Sequence, residues 1–474
     1  MRRLVVFVFV AAAFGFGFSP KAAADDPFAN SENVQAKDFF PGSAVPTAIR
    51  ERLANRILGR KRAKDPAFDD YYAKVMMRYG QGRDDFLIMT GRDKFVNAFA
   101  HFGGIIVMTE GMWQFARKED EFAAIIAHEM GHIKLRHFTR LREEQKKSSA
   151  LSVPVLIAGL LAGDGKTRQA LVLGSGGIAA SHIYAFTREM EHEADTYGLH
   201  LIGKNGGNAR SLADALSRME SGGEEYLSTH PAISRRVGYL RDRLRNEESA
   251  DDNNETAAKP ADDLDFRLLQ NKVMAGEGVV SRLLPVLRAN AESDDDNMRT
   301  GAHYGMLLLA VKSRDVAAAK DARALLTDIA DNPIVAVAFA ESYMLEKQPA
   351  MAVKTLRDSL DKNPTSAAAA FSLIRTLNRI GDKKQAVMFY EQLPEELQKR
   401  PDILMQAATA QTNKVMANLL RARAHFYNGN FEQSARLAKI AAKTAKNPKT
   451  AEAVAAIRQA AENELRVLAE QANK

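Results

Sequence analysis

Two histidines four residues apart, with a glutamate beside the first, stand in the apolar stretch 122–135 (FAAIIAHEMGHIKL). His128-Glu129-Met130-Gly131-His132 is an H-E-x-x-H pattern. On a helix, positions four apart differ by about 40° in azimuth, so His128 and His132 project from one face and can grip one ion. Zinc held by two imidazoles and a carboxylate keeps a position for water, lowers the pKa of that water and polarises a carbonyl. Glu129 is placed to take the proton of the water and pass it to a leaving amine. The chemistry predicted is metal-assisted hydrolysis of an amide bond, with one zinc per chain.

A third ligand is required. His137 lies nine residues beyond His128, about 180° round a continuing helix, and is predicted to face away from the metal. Leu135 and Phe138 stand where a longer H-E-x-x-H-x-x-G-x-x-H pattern needs Gly and His. The stretch 187–195 (TREMEHEAD) offers Glu191, His192 and Glu193, and spacing alone leaves all three open. Glu191 and Asp195 share a helix face, which lets one bind zinc while the other orients a ligating histidine through its free ring nitrogen.

These residues need elements to carry them. Apolar residues at three-to-four spacing, among them Ile49, Leu53 and Ile57, predict helices over 46–64 and 68–79. The runs 86–90, 95–100 and 105–109, separated by Gly91-Arg92-Asp93 and Gly103-Gly104, read as a three-strand meander. Helical patterning covers nearly everything beyond Gly111. Within it, 151–162 and 170–180 are apolar runs too short to span a bilayer. They predict a hairpin that packs on the core or touches a membrane surface, with neither favoured.

The chain has 474 residues and no cysteine, so any metal sits on histidine and carboxylate, and no disulfide is available. Arg2-Arg3, the apolar run 4–18 and Ala22-Ala23-Ala24 read as an export leader over 1–24, with a mature chain from Asp25. The formal charge of +7 includes Arg2, Arg3 and Lys21, leaving about +4 spread among acidic residues. That balance gives no case for a nucleic-acid partner.

The polar stretch 246–264 has almost no apolar side chain to bury and is expected to link two domains, 25–245 and 265–474. An acidic patch at 292–296 predicts a turn between helices. Farther on, Pro333, Pro364 and Pro401 lie 31 and 37 residues apart, near the roughly 34-residue period of paired-helix tetratricopeptide repeats. The segments 381–386 (GDKKQA) and 429–434 (GNFEQS) occupy matching places, with 347–352 a weaker copy. Each ends on a small residue, Ala352, Ala386 or Ser434, where paired helices must cross closely. A capping helix is expected over 450–472.

The pairing of H-E-x-x-H with a later E-x-x-A-D, here Glu191-His192-Glu193-Ala194-Asp195, resembles the HtpX and CAAX-prenyl-protease group of zinc metallopeptidases, metallopeptidase family 48. Arg136-His137, Asn97-Ala98-Phe99-Ala100 with Gly103-Gly104, and Thr229-His230-Pro231 followed by Arg236 carry the same resemblance. It implies Glu191 as the third zinc ligand. It implies that His230 can take the fourth zinc position and shut the site, with Arg236 nearby in the same loop. It further implies that Gly104, Ile105, Ile106 and Val107 border the cleft and receive substrate backbone by strand addition.

The fold so implied is mainly α: a zincin-like protease domain with a small β-meander, followed by an α-helical tetratricopeptide-repeat solenoid. The function implied is a periplasmic zinc endopeptidase in outer-membrane protein assembly and quality control, degrading misassembled proteins. Its repeats would dock clients or the assembly machinery, with peripheral membrane contact open. The alternative is a periplasmic chaperone or scaffold acting through the repeats, with rare proteolysis.

Overall fold

A computed structural model describes residues 47–82, 85–101, 103–141, 177–222, 230, 232–250 and 263–472. The expected leader lies outside these residues, as does the apolar hairpin apart from 177–180, which open a helix. Among the described residues, no helix is long and apolar enough to cross a membrane.

Helix α1 (Thr47–Leu58) ends in a 3-10 turn at Gly59–Lys61, and α2 (Pro66–Arg78) follows. Asp65 caps α2 by accepting from the Ala67 amide, and Pro66 occupies the first helical position, where no amide donor is needed. Three strands come next: β1 (Leu87–Gly91), β2 (Ala98–His101) and β3 (Ile105–Thr109).

The strand order is β1-β3-β2, with β1 parallel and β2 antiparallel to β3, so the expected meander is corrected. The outer edge of β1 is taken by the chain at 62–63, through a bridge from Arg62 to Gly91 and the Ala63 amide bonded to Thr90 O, and β2 pairs on the far side of β3. Alternation along β3 then divides two cores. Ile105 and Val107 pack with Leu53, Ala54 and Leu58 of α1. Ile106 and Met108 enter the main core with Phe122 and Ile126.

Helices α3 (Glu110–Phe115) and α4 (Glu119–Lys134) follow the sheet. Every α4 residue from Glu121 to Ile133 is buried, as befits a helix surrounded by other elements. Helix α5 (Gly177–Lys204) packs along α4, and α6 (Arg210–Gly222) and α7 (Ile233–Ala250) complete this part.

The C-terminal region is helical throughout. It runs through α8 (Asp263–Glu277), α9 (Val280–Asn290), α10 (Asp296–Ser313), α11 (Val316–Ala324), α12 (Pro333–Leu345) and α13 (Pro349–Lys362). It continues with α14 (Ala367–Arg379), α15 (Lys383–Gln392), α16 (Glu395–Gln398), α17 (Pro401–Ala410), α18 (Lys414–Tyr427), α19 (Phe431–Ala442) and α20 (Pro448–Ala472). Lys347, Gly381 and Gly429 fall in the turns between helices, all with positive φ. Ala352, Ala386 and Ser434 are fully buried at the helix crossings.

Helix occupies both ends of the stretch expected to be linker, since α7 runs through Ala250 and α8 begins at Asp263. One apolar cluster also spans that stretch: Phe266 of α8 stacks on Trp113 of α3, their ring centroids 5.6 Å apart. Gln270 donates to the carbonyls of Trp113 and Ala116. Farther along, Asp70 of α2 accepts from Ser366 Oγ and the Ala367 and Ala368 amides, capping α14 from a distant part of the chain.

Candidate metal centre

Helix α4 begins with Glu119, Asp120 and Glu121, which suit the positive end of its dipole. Just past its middle, His128 and His132 point the same way, their Nε2 atoms 3.0 Å apart. Glu191, on α5, sits across from them, with carboxylate oxygens 3.5 Å from each of those nitrogens. His230 closes the group, its Nδ1 lying 3.1 and 3.2 Å from the two Glu191 oxygens. All four residues are buried, and each offers a ligand atom within 4.8 Å of the others.

The donor set fits zinc. Nitrogen and oxygen ligands held at about 2 Å round a tetrahedral ion stand roughly 3.3 Å apart, against 3.0 to 3.5 Å here. Two imidazoles and a glutamate are a zinc donor set that leaves one position open.

The surrounding groups orient both rings. Nδ1 of His128 lies 2.9 Å from Asp195 Oδ1 and can donate its proton there, leaving the Nε2 lone pair facing the cluster. Nδ1 of His132 lies 2.8 Å from Nδ1 of His137, whose Nε2 lies 3.0 Å from Glu193 Oε2. If His137 donates to Glu193, its Nδ1 accepts the proton of His132 and frees that ring's Nε2 for a cation. Burial brings His137 down to about 4, so the ring is neutral at neutral pH, as this relay requires.

Charge in the cluster is balanced by contact. Arg236 grips Asp195 with Nε and Nη2 at 2.8 and 2.7 Å and reaches Glu191 with Nη1 at 2.8 Å. Tyr239 also donates to Asp195. Burial pushes the Asp195 carboxyl up, but Arg236 and His128 outweigh it and hold the group at about 2. For Glu191 burial is likewise outweighed, by His230, Arg236 and His132, and its carboxyl falls well below the ordinary value. Burial works against protonation of His128, yet hydrogen bonds to Asp195 and Glu191 raise it to about 9. Proton and cation therefore compete for its Nε2.

Glu129 is fully buried beside the histidines. Neither carboxylate oxygen has a hydrogen-bond partner among the described residues, and Oε1 is 3.4 Å from His230 Nε2. A buried carboxylate held without a hydrogen bond is costly unless something polar enters the site.

His128, Glu129, His132, Glu191, Asp195, His230 and Arg236 thus come together, but three expectations are corrected. Arg236 lies on the first turn of α7 rather than in the loop with His230. His137 does not face away: α4 stops at Lys134, Arg136 takes a left-handed φ of 59°, and the chain folds His137 back onto His132. The azimuth argument assumed a continuing helix, and no glycine marks the stop.

The third correction concerns Gly104, Ile105, Ile106 and Val107. Ile105, Ile106 and Val107 lie in β3, whose backbone pairs with β1 on one side and β2 on the other, and Gly104 is in the turn before it. No edge is left there for a further strand. The sheet edge that meets the cluster is β2, where Ala98 O lies 3.3 Å from His230 Nε2. Of the other ligand candidates, His192 is exposed and packs on Tyr239, while Glu193 bonds His137 and Arg140.

Known proteins are similar to a part of this chain. A Vibrio cholerae protein is 28% identical over 233 residues, covering 44% of each chain. A Yersinia pestis protein named beta-barrel assembly-enhancing protease is 30% identical over 156 residues, 31% of this chain and 32% of the relative. Metalloprotease LoiP of Escherichia coli (strain K12) is 30% identical over 155 residues, 32% of this chain and 60% of the relative. The matched stretch thus spans less than half of the first two relatives. Residues 65–244 match peptidase family M48, a span from the cap of α2 into α7 that holds every residue of the cluster. The likeness to peptidase family M48 is therefore a likeness of this stretch, residues 65–244 of the 474.

Proposed function

We propose that this chain is a periplasmic zinc-dependent endopeptidase that degrades misassembled outer-membrane proteins, with its helical repeats docking clients or the assembly machinery. The observation that carries the peptidase reading is Glu129, a buried carboxylate with no hydrogen bond among the described residues, beside a two-histidine, one-glutamate cluster. The name of the Yersinia pestis relative supports the setting.

His128, His132 and Glu191 would hold zinc, which when bound supplies Lewis-acid chemistry, acidifying water and polarising a peptide carbonyl. Glu129 accepts the proton of the attacking water and returns it to the leaving amine. The outer edge of β2, including Ala98 O, offers backbone groups on which an extended peptide can lie. Asp195 and the His137–Glu193 pair keep the two histidines in the required tautomers.

His230 occupies both the open side of the ligand set and the β2 edge, so it acts as a latch that substrate must displace. That closed arrangement also favours a second reading, a periplasmic chaperone or scaffold whose proteolysis is rare. Glu129→Gln separates the two. Zinc content should stay at one per chain while chelator-sensitive cleavage of an unfolded β-barrel protein disappears. Cleavage that persists in the variant, or wild-type protein that takes up no zinc, ends the peptidase reading, and cellular activity surviving in the variant belongs to the scaffold.

A further inference from the structure

A cleft of roughly 650 Å³ that shares no residue with the metal centre opens where α1 meets the turn between α18 and α19. Its lining carries six cations, Arg52, Arg56, Arg60, Arg62, Lys64 and Arg92, and one carboxylate, Glu432. The cations come from three places in the fold. Arg52, Arg56 and Arg60 recur every four residues along α1 and its 3-10 extension, so they follow one another along the helix. Arg62 and Lys64 belong to the link before α2, and Arg92 follows β1.

Arg52 and Arg62 are each paired with a carboxylate. Arg52 forms a two-pronged pair with Glu432, and Arg62 another with Glu51. Arg60, Lys64 and Arg92 are exposed and form no ion pair among the described residues. Burial, more than the neighbouring Arg52, holds the Arg56 guanidinium below its ordinary value, while Glu432 acts the other way.

Gathering uncompensated cations into a concavity costs stability through mutual repulsion, and an entering anion removes that cost. The remaining walls are Asn55, Asn428 and Asn430 with Gly59 and Gly429, so the lining has no apolar side chain. A peptide would find no pocket for an apolar anchor there. A phosphate group, with three acceptor oxygens and up to two charges, matches several guanidinium forks at once. The volume suits a small ligand or a headgroup.

We propose that this cleft binds a phosphate-bearing polyanion, free in solution or borne on a lipid, and that the ligand clamps α1 to the α18–α19 turn. The junction is already close. A Cβ on Gly429, whose φ is +72°, would lie 2.4 Å from Arg52 Cβ and 2.5 Å from Ala48 O. Asn55 donates to Asn428 O across the same seam. A ligand touching Arg60 and Arg92 on one side and Asn430 on the other would brace the first described helix against the last repeats.

The test uses the full mature chain with pyrophosphate as the soluble probe, and vesicles of phosphatidylglycerol or phosphatidylcholine as the lipid probes. Calorimetric titration should show saturable pyrophosphate binding and a raised melting temperature. The double variant Arg60→Ala, Arg92→Ala should weaken binding about tenfold or more, as loss of charge-assisted hydrogen bonds does. Its ligand-free melting temperature should be no lower than that of the wild type, since two mutually repelling charges are gone, and its peptidase activity should match, because neither side chain is part of the metal centre. Phosphatidylglycerol vesicles that capture the protein and release it to pyrophosphate identify a lipid headgroup as the source, whereas capture by neither vesicle identifies a soluble one. Unchanged affinity in the double variant, or a melting shift reproduced by sodium chloride at equal ionic strength, overturns the proposal. So does a decaglutamate peptide that binds more tightly than pyrophosphate, which would assign the cleft to acidic protein segments.

Discussion

A Cβ placed on Gly131 would lie 3.0 Å from both the Cα and the carbonyl oxygen of Ala194. The two ligand-bearing helices therefore cross with backbone nearly touching backbone, one residue from His132 and three from Glu191. Gly198 repeats the arrangement one turn on, where an added Cβ would stand 3.3 Å from the His128 amide nitrogen. The small residues inside the two motifs set the distance at which imidazole and carboxylate can share an ion.

Gly131→Ala tests that role. In an ordinary helix interior the change would stabilise by roughly 0.5–1 kcal/mol. Here the new methyl meets backbone that must give way, and overpacking of this kind costs about 1–3 kcal/mol. We expect a lower melting temperature and weaker zinc binding together. A variant that melts higher with zinc affinity intact would show that the crossing has room to spare.

His137→Ala should act on the metal without touching it. Losing the acceptor for His132 Nδ1 leaves that ring free to place a proton on the nitrogen that faces the cluster. Loss of such an orienting partner weakens metal binding roughly 10–100-fold. Zinc competition against a chelator reads this directly, and an unchanged affinity would mean another group sets the tautomer.

His230→Ala should raise the rate on an unfolded substrate while zinc stays bound, because the ring covers Ala98 O and the ligand set at once. A fall in rate at unchanged zinc content would give the ring a part in the transition state instead. If neither rate nor zinc affinity moves, His230 is not a latch.

The sequence made the histidine pair legible because its chemistry is local, whereas the family resemblance rather than spacing chose Glu191 over His192 and Glu193. Four-residue spacing on a helix determines which side chains share a face, and that sufficed to pair His128 with His132 and Glu191 with Asp195. What it concealed depends on tertiary choices. Arg136 adopts a left-handed conformation that no side chain advertises, so His137 was assigned to the wrong side of a helix that had already ended. Ile105, Ile106 and Val107 read as a strand, and they are one, but neighbour order is settled by which edge of β1 the segment at 62–63 already covers. The polar stretch at 246–264 likewise gave no hint that Phe266 would stack on Trp113, since that contact is made by residues lying beyond it on either side.

Stability should also carry a signature from the start of α4. Glu119 is 2% exposed. Burial raises its carboxyl from 4.5 to about 7, outweighing Arg78, whose Nη2 lies 3.0 Å from both carboxylate oxygens. Asp263, which accepts from the Glu119 amide, adds a like charge that favours the protonated form. Below pH 4.5 the group is protonated in folded and unfolded chains alike, and its favourable contribution is complete. Between 4.5 and about 7 the unfolded chain gives up its proton while the folded one retains it, so that contribution is lost as pH rises. Glu119→Gln cannot titrate. The stability of the wild type relative to this variant, measured by urea unfolding, should therefore fall across that window and level off above it. A difference that grows with pH instead would mean that the Arg78 ion pair, rather than burial, governs this carboxylate.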